Sequence, residues 1–248
     1  MHRFRRLAVA GLVLLAVPAV HAQSTSSTAQ PPVPAAWSQI YHVHFVQAAP
    51  GKLPELIKLM TAPPAGDAAP SHVLLLRHRE GSPWDLVAIE HIGAKATVES
   101  GRPGPARELR AWHEDTFVAG PPWDVFAKAM GLDGQPGTAD AVYVVSTYRG
   151  APGHRAMLDE TLQKVAAAAA KPDRGVILQH VEGGAWDSLT INRYDSWRDF
   201  AADQSDDPTA EQRERRAGLM QAAGLALREH SGSHNDTIAV RVAVPPAK

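Results

Sequence analysis

Shifting the chain against itself by 102 residues lays LRHREGSPWDLVAI (residues 76–89) over LQHVEGGAWDSLTI (residues 178–191). Seven of these fourteen positions are identical without a gap, where background composition gives roughly one. The same offset sets Ala49-Pro50-Gly51 on Ala151-Pro152-Gly153, and Tyr41 on Tyr143. A fourth block, HEDT at 113–116 against HNDT at 234–237, needs an offset of 121. The second copy therefore carries about nineteen extra residues ahead of that block, most simply within Asp203 to Arg216. The chain reads as a tandem duplication, and each copy must solve the same folding problem.

The elements follow from the pattern in each copy. Ile40 to Gln47 and Ala141 to Tyr148 are rich in β-branched and aromatic residues and read as strands. An Ala-Pro-Gly turn leads into helices over Leu53 to Met60 and Arg155 to about Ala170. Second strands, His72 to Arg79 and Gly175 to Val181, join third strands, Trp84 to His91 and Trp186 to Tyr194, through Gly-containing hairpins. Second helices are expected over Ala106 to His113 and, after a Pro208-Thr209 start, Ala210 to Glu229. Final strands should open at the HxDT blocks, with Thr237 to Val244 the clearer. The order is β-α-β-β-α-β, twice.

That order is the ferredoxin-like split module, whose sheet is covered by helices on one face only. Two such sheets facing each other make a barrel, and here both would lie on one chain. Over roughly residues 38–244 the sequence thus resembles the dimeric α+β-barrel superfamily in tandem-duplicated form. The resemblance rests on element order and the strand, Pro-Gly, helix opening rather than on a catalytic signature. It implies an α+β fold of two ferredoxin-like repeats, 38–131 and 140–244, with a linker at 132–139. The superfamily includes cofactor-independent monooxygenases, haem enzymes, lyases and ligand-binding proteins, so it constrains the scaffold more than the chemistry.

Export is expected from the first residues. Arg3, Arg5 and Arg6 precede an apolar run from Leu7 to Val17, then Pro18 and the small residues of Val20-His21-Ala22. This is a Sec-type signal peptide over 1–22, with cleavage after Ala22; the run is short of the ~20 residues of a membrane span. Ser24 to Ala36 is a Ser/Thr/Pro/Ala tether, so 23–37 reads as a disordered linker. A periplasmic or secreted protein follows, with no membrane association after cleavage. Without the three arginines the formal charge falls from −1 to −4, and no basic stripe suggests nucleic acid. With no cysteine in the chain, disulfides, thiolate metal sites and cysteine nucleophiles are excluded.

The duplication also sorts residues. Those in both copies hold the fold: Trp84-Asp85 and Trp186-Asp187 anchor the hairpin, the Asp accepting turn amides. His78 with His180, and His113 with His234, read likewise as structural pairs. Residues in one copy are freer to do chemistry. His42 and His44 alternate on one strand and share a face, while their counterparts are Val144 and Ser146. On the third strand Val87 and Ile89, like Leu189 and Ile191, form an apolar row expected to face the helices. That would turn Ala88 and Glu90, and Thr190 and Asn192, into the barrel. His42, His44 and Glu90 are then a candidate metal set of two histidines and a carboxylate. The same interior could instead hold a small molecule through His42, His44, Glu90, Tyr148, Thr190 and Asn192. Haem ligation is left to a single histidine, with His113 and His154 as candidates.

No nucleophile elbow, phosphate loop, H-E-x-x-H or dinucleotide fingerprint is present. The sequence favours a small-molecule-binding barrel, with a metal-dependent, haem-dependent or cofactor-free oxidoreductase of monooxygenase type as the alternative. Closing both sheets on one chain allows a monomer and leaves homo-oligomers open.

Overall fold

The computed structural model describes residues 37–62, 72–94, 109–133, 140–169, 171–204 and 222–244. The expected signal peptide, most of the linkers at 23–37 and 132–139, and residues 205–216 of the expected insertion lie outside them. Eight strands run in chain order: β1 Gln39–Ala48, β2 Val73–Glu80, β3 Leu86–Gly93, β4 Arg110–Gly120, β5 Val142–Gly150, β6 Gly175–Glu182, β7 Ser188–Tyr194 and β8 Ser231–Val242. Helices are α1 Leu53–Met60, α2 Trp123–Ala129, α3 Arg155–Ala168, α4 Trp197–Gln204 and α5 over residues 222–230. No helix among the described residues is long and apolar enough to cross a membrane.

All strand pairs are antiparallel, and the sheet closes into a barrel in the order β1-β3-β2-β8-β5-β7-β6-β4. Each half of the chain thus contributes four neighbouring strands, β4-β1-β3-β2 and β8-β5-β7-β6. The halves meet where β2 pairs with β8 and β4 with β6.

The side-chain phase differs from expectation. A single buried cluster draws from all eight strands: Tyr41, Val43 and Phe45 with Leu74, Leu76, Val87, Ile89, Val118, Tyr143, Val145, Val176, Leu178, Leu189, Ile191 and Ala239. Only the barrel interior can bring them together, so Val87 and Ile89 point inward. A smaller cluster, Val46, Leu75 and Leu86 around Leu56 of α1, belongs to the outer, helix-covered face. The period of two then places His42, His44, Ala88 and Glu90 on the outside, the reverse of the sequence expectation. The physical reason is volume. A closed barrel fed by eight strands is the largest apolar reservoir, and it claims the most hydrophobic row of each strand.

One helix assignment also changes. Residues 110–113, expected to end a helix, are strand β4; of the rest of that helix, only Leu109 is among the described residues. Pairing with the whole length of β1 overrides the local helical preference. Of the expected helix Ala210 to Glu229, residues 222–229 are helical within α5 and the remainder is not described. Unexpected are α4 and the seven-residue α2, which plugs one barrel end with Phe126, Ala129 and Met130. The turn leaving α2 is pinned by the second half: Tyr143 Oη donates to Met130 O (2.9 Å), Arg193 Nε to Ala129 O (2.9 Å) and Arg241 Nη1 to Gly131 O (3.0 Å).

The other end is closed by the two hairpins, each reaching across to the last strand of the opposite half. Ser82 N donates to Thr237 Oγ1 (3.4 Å), and Gly184 N donates to Thr116 Oγ1 (2.9 Å). Gly81 and Gly183 adopt φ of +118° and +117° there, and a Cβ on either would stand 2.4 Å from Asp236 O or 2.3 Å from Asp115 O. Gly51 has a similar left-handed backbone (φ +76°) but open space around it. Gly51→Ala should therefore cost only backbone strain, about 1 kcal/mol. Gly81→Ala and Gly183→Ala add a backbone clash and should each cost about 3 kcal/mol. Urea denaturation of the three variants checks this; equal losses would mean that the hairpin contacts do not hold the seam.

Candidate functional site

Strand β1 carries the sequence QIYHVHFVQA, in which buried Tyr41, Val43 and Phe45 alternate with His42 and His44. On one side His42 pairs with Glu90 of β3; on the other, His44 pairs with Asp115 of β4 and Val46 with His113. Register alone thus gathers three histidines and two carboxylates on one outer patch of the β3-β1-β4 sheet.

Asp115 is the hub. His42 Nε2 lies 2.8 Å and His44 Nδ1 2.5 Å from the same oxygen, Oδ1, while His113 Nδ1 lies 3.0 Å from Oδ2. The imidazole N–H groups donate and the carboxylate accepts. Glu90 Oε2 stands 3.7 Å from the other nitrogen of His42, and Phe117 stacks on that ring at 5.1 Å. The side chain of His44 is only 12% exposed, whereas Asp115 is 42% exposed. His44 Nε2 is buried with no hydrogen-bond partner. The patch is therefore rooted in the sheet and open outward.

The electrostatics follow from this packing. Burial works against a charge on His42, but hydrogen bonds and Coulomb attraction from Asp115 and Glu90 outweigh it and raise its pKa to about 9. Hydrogen bonds from His42 and His44 hold the Asp115 carboxyl far below the usual carboxylate range.

The six expected ligand-binding residues do not share one site. His42, His44 and Glu90 come together, but outside the barrel, and Asp115 rather than Glu90 is the carboxylate within reach of both histidines. Tyr148, Thr190 and Asn192 lie on the outer face of β5 and β7; β5 stands four strands from β1 in the ring of eight. There Tyr148 stacks on His234 at 5.8 Å, and burial raises its hydroxyl pKa. The registers of the halves match: Ser146 pairs with Asp236 as His44 pairs with Asp115. The second half keeps the carboxylate, with His234 Nε2 3.8 Å from Asp236 Oδ2, and lacks counterparts of His42 and His44.

The other expected residues have clear places. Asp85 Oδ2 accepts from Ala48 N and Asp187 Oδ2 from Gly150 N, each at 2.8 Å, so they tie down the end of the first strand of each half rather than the turn's own amides. Trp84 and Trp186 cover the barrel end against Phe45, and Trp186 Nε1 donates to Glu114 Oε1 (2.8 Å). Of the haem candidates, His113 is a strand residue engaged with Asp115. His154 precedes α3 with its Nδ1 3.1 Å from that of His230. In the sequence Asp115 is set aside because its block recurs in both copies and follows directly on an expected helix end. The register of β4 on β1 is the signal that finds it.

No protein-family model and no curated protein sequence matches the chain. The chain is similar in fold to several solved structures. An anthrone oxidase-like protein superposes with a TM-score of 0.58 at 16% identity, covering 83% of this chain and 92% of its own. A monooxygenase-like protein from Lactobacillus acidophilus NCFM gives 0.50 at 8% identity, covering 82% and 94%. Both are α+β barrels, the architecture described above.

Because the folded-state pKa of His42 lies above its ordinary 6.5, its stabilising contribution is full below pH 6.5 and is lost as pH rises through about 9. Asp115, held low, contributes above its ordinary range and loses that contribution as pH falls through its folded-state value. NMR titration of the metal-free protein should give His42 a pKa of about 9, returning towards 6.5 in Asp115→Asn. An unchanged value in that variant would remove Asp115 as the partner.

Proposed function

We propose that this chain is an oxidoreductase of the oxygenase kind, acting on a small organic substrate at the His42, His44 and Asp115 face. Its scaffold is read as two ferredoxin-like βαββαβ modules fused in tandem, with the first providing the reaction centre. One observation carries this: the halves share strand register and the Asp115/Asp236 carboxylate, yet only the first sets two histidines of the neighbouring strand, His42 and His44, against it. Positions 42 and 44 are Val144 and Ser146 in the second half, so the fold itself does not call for imidazoles there. The open face allows a substrate to approach, and Phe117 beside His42 offers an aromatic surface for it. The likeness in fold to an anthrone oxidase-like and a monooxygenase-like protein supports the same class. Export through residues 1–22 remains part of this proposal, on the charge and length of the amino-terminal segment.

Oxygen-electrode assays with anthrone and simple hydroquinones test the reading. Uptake should depend on the substrate and fall at least about tenfold in His42→Ala and His44→Ala, single-interaction losses of a size typical of active sites. Thermal stability should change little, since the pair is partly exposed. No uptake with any of these substrates, or uptake indifferent to both variants, would reject it.

A second reading, ligand binding without turnover, is favoured by a cavity of about 240 Å³ at one barrel end, lined by Glu114, Thr147, Tyr148, Arg149, Trp186 and His234. Its origin is a break in the repeat: Phe45 fills the space beside the two tryptophans, and its counterpart Thr147 does not. Calorimetric titration with small carboxylates, in wild type and Thr147→Phe, tests it. Heat of binding that vanishes when the ring is restored supports a ligand there, and silence in both rejects it.

A further inference from the structure

The geometry points to a divalent transition-metal site at His42 Nε2, His44 Nδ1 and Asp115 Oδ1. This inference concerns the face assigned above but stands on donor geometry alone, independent of the oxidoreductase reading. The three donor atoms lie within 4.8 Å of one another on two neighbouring strands. Ligand atoms sharing one ion at bonds of about 2.1 Å stand about 3.0–3.4 Å apart. The two nitrogens approach one oxygen at 2.8 and 2.5 Å, so the donors already converge, and a spreading of the side chains would admit an ion between them.

Several features distinguish the patch from an ordinary surface ion-pair network. Both histidines converge on Oδ1, an arrangement that crowds two N–H donors on one acceptor but suits two lone pairs and a carboxylate around a cation. His113 holds the second oxygen, Oδ2, and fixes the plane of the carboxylate. Glu90 stands 3.7 Å from His42 Nδ1, the non-ligating nitrogen, where an outer carboxylate orients a ligating imidazole. His44 hydrogen-bonds through Nδ1, and its buried Nε2 has no partner among the described residues.

Two imidazoles and one carboxylate select a borderline first-row ion of the Fe²⁺ to Zn²⁺ class over Mg²⁺ or Ca²⁺, which prefer all-oxygen sites. Three protein ligands leave positions open on the exposed side for water or substrate. Bound there, the ion would supply a Lewis acid, and the three side chains would hold and orient it. The second half offers Asp236 with Val144 and Ser146, so the stoichiometry should be one ion per chain although the HxDT block occurs twice.

The test uses the untagged protein without its amino-terminal segment 1–22, stripped with chelator and titrated with Co²⁺ and Zn²⁺. Calorimetry should show about one equivalent bound, and Co²⁺ should develop visible d–d absorption that Zn²⁺ displaces. His44→Ala and Asp115→Ala should each weaken binding at least about tenfold, and Asp236→Ala should leave it unchanged. Circular dichroism confirms that each variant is folded, and His42→Ala gives a second loss of binding should Asp115→Ala fail that check. Less than half an equivalent bound by the wild type, or wild-type affinity in both histidine variants, would overturn the site. Metal binding without oxygen uptake keeps the site and removes the oxidoreductase reading. Oxygen uptake by a chain that binds no ion keeps that reading and removes the site.

Discussion

The fold depends on the two places where a hairpin of one half reaches the last strand of the other. An isolated four-strand half would expose two sheet edges and one apolar face. Closure pairs the edges, β2 with β8 and β4 with β6, and buries the faces against each other as one cluster. At the seam Gly81 and Gly183 let the hairpin backbone approach the Asp236 and Asp115 carbonyls too closely for any side chain. Thr237 and Thr116, the residues next in line, accept the hairpin amides of Ser82 and Gly184. The consequence reaches the candidate site directly. The β6–β7 hairpin of the second half braces the backbone of Asp115, so the hub carboxylate of the first half is positioned by both.

Within this frame, repeated residues and singular residues divide the work. Asp85 and Asp187 bind the same amide one repeat apart, and Tyr41 and Tyr143 both donate their hydroxyls to carbonyls around α2, Pro121 and Met130. These are interior or edge contacts that any copy of the module needs. The differences gather on the outer faces and at the barrel end. His42 and His44 stand against Val144 and Ser146, and Phe45 stands against Thr147. Asp115 crosses the division: its counterpart Asp236 sits in the same register but has no pair of imidazoles above it. A carboxylate common to both halves can therefore acquire a new environment through changes on the neighbouring strand alone.

The sequence made the strands legible because alternation and the repeat agreed with each other; Leu53–Met60 was legible as α1 from its Pro-Gly entry and apolar spacing. Phase was not. On β1, Tyr41, Val43 and Phe45 compete with His42 and His44 for the interior, and on β3 the Val87/Ile89 row could serve helices or barrel equally well. Only closure, which joins eight such rows in one volume, decides between them. Residues 110–113 carry local helical preference yet pair along β1, a non-local gain that propensity cannot anticipate. Seven-residue α2 is too short to show a period, and what fixes its exit turn comes from Tyr143, Arg193 and Arg241, far along the chain. The histidine face was half legible. Spacing in β1 put His42 and His44 together, whereas the choice between Glu90 and Asp115 rested on a β4 register that no local pattern encodes.

The second half also serves as an internal control on why the histidines are there. Partly exposed ion pairs contribute little to stability, and His44 carries a buried nitrogen without a partner, which costs free energy. Val144 and Ser146 occupy the equivalent positions beside an equivalent carboxylate, and the strand there holds the same register. The strand therefore forms in that register without imidazoles at these positions. The first half instead keeps two imidazoles on one carboxylate oxygen, a third on the other oxygen and a second carboxylate behind them. An arrangement that the second half does without, that stands on the open side of the sheet and is braced from the opposite half, is explained by what it can hold rather than by the fold it decorates.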